Sequence, residues 1–178
     1  LVFQSPESQF FEIYVGDEIA YGPKQFEMES LRERVKSAMD MVGLDFESFI
    51  DRRLETLSGG EKRKVALAST LILDQDILLF DEPTAGMDPQ ARDELLQLFA
   101  ALALQGKTIV IASHRLEELA QIAQDLSIMY AGKNLETGPI HKILSHLDTM
   151  QSSGLIEPLT VRIGQRLRQL GWPIALED

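Results

Sequence analysis

Two short runs, Ile77-Leu78-Leu79-Phe80 and Thr108-Ile109-Val110-Ile111-Ala112, are apolar nearly from end to end. Strands of that kind belong to a parallel sheet covered on both faces. Parallel neighbours need a crossover between them, usually a helix. The intervening residues supply one: Leu95, Leu98, Phe99 and Leu102 fall on one face of a helix that Asp88 caps and Pro89 opens. A third run, Leu126–Tyr130, followed by "YAGKNLETG", reads as a strand, a turn and a return strand, a hairpin at the sheet edge. The pattern predicts an α/β fold.

The residues before the strands, Ser5 to about Leu73, are predominantly helical in pattern and are predicted to form a separate lobe. Leu31, Val35, Ala38, Met39 and Val42 share a helix face that ends at Gly43, and Val65, Ser69 and Ile72 line a later helix. From Pro139 onward the pattern is helical and polar, with "PLTVRIGQRLRQLG" amphipathic. Hydrophobic residues make up 44% of the 178 and charged residues 25%, enough for a packed core. No apolar run reaches the ~18 residues of a membrane span. With no cysteine, disulfide scaffolds and thiolate metal sites are excluded. The net charge of −11 argues against sequence-independent nucleic-acid binding, which needs a basic face.

Three places concentrate chemistry. Asp81 and Glu82 stand at the C-terminal end of the first apolar strand, the edge where ligands bind in open parallel sheets. A carboxylate there can hold Mg²⁺, which takes few carboxylates plus phosphate oxygens, while its neighbour polarises a water. His114 follows the second strand; it is either an ordinary polar loop residue or, in register with Asp81 and Glu82, a contact to a terminal phosphate. Asp88 lies near the same edge, with helix capping as its default role.

The third place is Ser58-Gly59-Gly60-Glu61, in front of a basic and then apolar helix. Ser58-x-x-Glu61 is a capping box, which starts a helix without any ligand. Capping requires neither glycine, however, and bare glycine amides at a helix N-terminus form an anion site. The adjoining Lys62-Arg63-Lys64 has two readings, a solvated basic face or support for phosphate, and the pattern by itself favours phosphate binding only slightly. "QGKT" at Gln105–Thr108 is not a phosphate loop, since Ala101 stands where the first glycine is required; Gly106 reads as a helix C-terminal turn.

Taken in order, "LVFQ", "LSGGE", "ILLFDEP", "AGMD" and "SH" resemble the Q-loop, signature, Walker B, D-loop and switch-histidine motifs of ABC transporter ATP-binding subunits. Glu61 departs from the glutamine usual in the signature. "FQSPESQFF", "DEIAYGP", "VGLDFESF", "LSGGEKRKVALAS" and the closing "GLIEPLTVRIGQRL" are similar to the ATPases of energy-coupling factor (ECF) importers of cobalt, nickel and vitamins. The resemblance implies a P-loop NTPase core of the ABC ATPase type, with a helical subdomain over residues 1–73. A partial core would span 74–138 and a C-terminal helical extension 139–178. The family's P-loop belongs upstream of Gln4, so the chain, which opens mid-strand at Leu1, is expected to lack the N-terminal portion.

The resemblance further implies ATP and Mg²⁺ as ligands, a second ATPase subunit (identical or paralogous) and an integral membrane transport subunit as partners, and no nucleic acid. The implied location is the cytoplasmic face of a prokaryotic cell membrane. Ser58, Gly59, Gly60 and Glu61 would meet ATP held by the partner, Asp81 would position Mg²⁺, and Glu82 would be the general base. His114 would steady the γ-phosphate, Gln4 would sense the metal and Asp88 would bridge the subunits. The competing readings are a soluble ABC ATPase acting on ribosomes or DNA, and a fragment that is itself non-catalytic.

Overall fold

The computed structural model describes residues 10–144, 155 and 158–172. The chain forms two compact units, residues 1–112 and 113–178.

The first unit opens with helices α1 (Val15–Gln25), α2 (Leu31–Met41) and the single turn α3 (Phe46–Phe49). A 3₁₀ turn at Leu54–Thr56 leads into α4 (Gly59–Leu71), which packs against both α1 and α2. The predicted apolar faces are the buried ones. Val35, Ala38 and Met39 of α2 are buried, and the helix stops before Gly43, whose φ of +67° is a left-handed exit open to glycine. In α4 the buried set is wider than the expected stripe, with Val65, Ala66, Leu67, Ala68 and Leu71 all enclosed and Ser69 half-buried. Gly16 lets α1 lie directly on the chain at Ile50: its amide donates to the Ile50 carbonyl at 2.9 Å, and a Cβ there would overlap the Ile50 side chain.

Strands β1 (Ile77–Asp81) and β2 (Thr108–Ala112) pair in parallel, Ile77 beside Thr108 and Asp81 beside Ala112. The crossover is α5 (Pro89–Leu104), with Pro89 in its first turn and Gly106 (φ +92°) just past its end. Leu95, Leu96, Phe99 and Leu102 are buried, and Phe99 meets Phe80 with ring centroids 4.4 Å apart.

The sheet departs from expectation on one face. Leu78 and Phe80 are buried, whereas Ile77, Leu79 and Val110 are 61%, 42% and 50% exposed. An apolar strand reports that its faces suit burial; whether a layer lies on each is settled by what packs there.

In the second unit α6 (Leu116–Ile122) precedes β3 (Asp125–Tyr130) and β4 (Lys133–Pro139). The strands pair antiparallel around Ala131 and Gly132, both at positive φ (48° and 74°), as a two-residue primed turn requires. The predicted hairpin is therefore present, but it forms its own two-stranded sheet instead of the edge of β1–β2. The short α7 (Ile140–Ile143) packs on both strands. The amphipathic α8 (Leu159–Gln169) forms as the periodicity predicts, while Leu159 and Ile163 remain largely exposed. Among the described residues no helix is long and apolar enough to cross a membrane.

Candidate nucleotide site

The start of α4 is built by a complete capping box. The Ser58 hydroxyl accepts from the Glu61 amide at 3.3 Å, and the Glu61 carboxylate accepts from the Ser58 amide at 2.7 Å. Arg52 holds the other oxygen of Glu61 at 3.0 Å, and its guanidinium stacks over Phe49. The Ser58 amide and hydroxyl, with Arg52, hold the Glu61 carboxyl below the usual range.

The capping box explains Ser58 and Glu61 and leaves the glycines unexplained. Gly59 and Gly60 are exposed, and a Cβ on either would meet nothing within 4 Å. Neither has a left-handed φ. Nothing among the described residues requires glycine at these positions, and the two exposed glycines open the positive end of a 13-residue helix.

The carboxylates stand at the C-terminal edge of the parallel pair. Asp81, the last residue of β1, is exposed, and Glu82 is half-buried. Glu82 has φ +46°, a left-handed conformation that costs a non-glycine residue roughly 1–3 kcal/mol. Its amide donates to the Ala112 carbonyl of β2 at 2.9 Å, and its carbonyl accepts from the Ala85 amide at 3.1 Å. A second tight turn follows, Met87 amide to Thr84 carbonyl at 3.2 Å, with Gly86 at φ +72°. Asp88 then caps α5, its carboxylate accepting from the Ala91 amide at 2.9 Å.

One buried side chain joins these two regions. Arg63, expected on a solvated basic face, is only 8% exposed; its Nη1 donates to the Pro83 carbonyl at 3.0 Å and to the Ala85 carbonyl. A sequence signal existed. Arg63 sits four and eight residues before Leu67 and Leu71, in the apolar stripe of α4. Of the other predicted residues, His114 is exposed and belongs to the second unit, and Gln4 lies outside the described residues. No group of three or more His, Cys, Asp or Glu is placed to hold a metal ion unaided among the described residues.

A parallel sheet with carboxylates at its C-terminal edge and an open, glycine-led helix are features of a nucleotide-binding domain. A family model described as "AAA domain, putative AbiEii toxin, Type IV TA system" matches residues 5–120. The energy-coupling factor transporter ATP-binding protein EcfA2 of Clostridium tetani is 38% identical over 98% of this chain and 62% of its own length. EcfA3 of Oenococcus oeni is 36% identical over 97% and 60%. The solved structure of cbiO1 from Clostridium perfringens, described as part of the ABC transporter complex cbiONQ, superposes with a TM-score of 0.72 at 27% identity, covering 92% of this chain and 66% of that one. The chain belongs to the family of this AAA domain, and it is similar to the ATP-binding proteins of energy-coupling factor transporters and to an ABC transporter ATPase of known structure. It spans about three-fifths of the length of the curated relatives it matches.

Proposed function

We infer that the full-length protein binds and hydrolyses ATP as a subunit of an ECF-type importer of cobalt, nickel or a vitamin, at the cytoplasmic face of the membrane. Its partners are a second ATPase subunit and an integral membrane transport subunit. The observation that carries this reading is the pair of bare glycines at Gly59 and Gly60: no contact among the described residues calls for them, and a phosphate held by a neighbouring subunit would. The names of the relatives support the transport setting.

Bound MgATP supplies the γ-phosphoryl group and part of its charge neutralisation. Ser58, Gly59 and Gly60 approach that phosphate from the partner's side, with Glu61 fixing the helix turn that presents them. Asp81, a single exposed carboxylate, fits Mg²⁺, which takes few protein ligands and keeps phosphate oxygens and water. Glu82 accepts a proton from the attacking water, His114 donates to the γ-phosphate, Asp88 reaches across the dimer, and Gln4 relays the state of the site toward the membrane subunit. In functional terms residues 1–73 form the Q-loop and helical part, 74–138 the partial ATPase core and 139–178 the helical extension.

In the full-length protein, Glu82→Gln is expected to lower MgATP turnover by about 10²–10⁴-fold through loss of the base. Turnover within a factor of two of the parent removes Glu82 from that role. The 178-residue chain alone contains no G-x-x-x-x-G-K-[ST] run and is expected to show no micromolar ATP affinity by titration calorimetry.

A further inference from the structure

We propose that Arg63 is a positioning residue that couples the glycine-led helix to the general base. Its guanidinium spans from α4 to the carbonyls of Pro83 and Ala85, 20 and 22 residues away. Those carbonyls lie just past Glu82, on either side of Thr84, which is itself 2% exposed. Glu82 occupies a left-handed conformation that persists only where the surroundings over-determine it. Two backbone bonds fix it on the strand side, through Ala112 and within the Glu82–Ala85 turn. Arg63 supplies the restraint from the helix side, with a charged donor that gives stronger bonds than a neutral one.

The consequence is mechanical. Arg63 lies four and three residues after Gly59 and Gly60 on the same rigid helix. A shift of α4 as its N-terminus closes on a phosphate is transmitted to the turn that aims Glu82 and leads to Asp88. Arg63 acts through the backbone carbonyls of Pro83 and Ala85, and so sets where the carboxylate points. The proposal rests on the reading of Glu82 as base and of the glycine amides as a phosphate contact.

The test uses the full-length protein with Arg63→Met, Arg63→Ala and Arg63→Gln, measuring kcat and KM for MgATP alongside the melting temperature. Met keeps the stem without a donor, Ala admits water to the carbonyls, and Gln restores a neutral donor. The expected result is a fall in kcat of at least tenfold for Met and Ala, KM within about twofold, and recovery of kcat in Gln. Unchanged kcat in a folded Met or Ala variant overturns the proposal. So does a Gln variant no better than Met, and so does loss of folded protein in both Met and Ala, which assigns Arg63 to stability alone. Glu82→Gln run in parallel separates the two ideas: if it is inactive while Arg63→Met is fully active, only the coupling fails; if it is fully active, the reading of the base fails.

Discussion

Arg52 Nη1 lies 3.0 Å from Glu61 Oε1 while the Ser58 amide donates to Oε2 of the same carboxylate at 2.7 Å. The residue that departs from the family's usual glutamine is thus held on both oxygens, and its charge is used for structure. At N3 of a capping box a glutamine would serve nearly as well, but it would not titrate.

That difference gives a pH signature. The Ser58 amide, the Ser58 hydroxyl and Arg52 hold the folded-state pKa of Glu61 below its unfolded value of about 4.3. A depressed acid contributes stability above the unfolded value and loses it as pH falls through the folded one. Glu61→Gln is therefore expected to lose less stability than the parent between pH 5 and pH 3, read as the shift in urea midpoint at the two pH values. Equal shifts would show that the carboxylate's contacts add nothing to folding.

Phe99 joins the crossover helix to the sheet through Phe80, and both rings are almost wholly buried. Phe99→Ala removes an aromatic pair and leaves a cavity, at a cost of about 3–5 kcal/mol. Urea unfolding followed by circular dichroism checks this; a cost below about 1 kcal/mol would mean that the helix does not depend on that contact.

Asp88 has a visible task as a cap and a proposed one between subunits, and two substitutions separate them. Asn caps as well as Asp, whereas Ala lacks the acceptor, so Asp88→Ala is expected to cost about 1 kcal/mol and Asp88→Asn a few tenths. In the full-length protein Asp88→Asn should nevertheless lower turnover. If turnover instead tracks stability across the pair, Asp88 is a cap and nothing more.

Signals that act within one or two turns were legible without coordinates. Asp88 and Pro89 open α5, Gly43 and Gly106 follow helix ends at positive φ, and Ser58 with Glu61 forms the capping box that its spacing predicts. The hairpin around Ala131-Gly132 was readable as a turn, but which sheet it would join was not, because hydrogen bonds along a sheet edge are long-range. The role of Glu18 is long-range for the same reason. Its buried carboxylate, 5% exposed, accepts the amides of Phe11 and Glu12 at 2.9 Å each, a clamp visible only once the chain has turned back on itself.

The amino-acid order thus determined the helices, the strands and the sequence of ATPase motifs, since propensity, capping and hydrophobic period are properties of neighbouring residues. Tertiary structure alone decided which carbonyls Arg63 meets, that Glu82 is held left-handed, and that β1 buries Leu78 and Phe80 while Ile77 and Leu79 stay exposed. A side chain's environment is set by residues distant along the chain, and Arg63 becomes a link only because the carbonyls of Pro83 and Ala85 are folded against it.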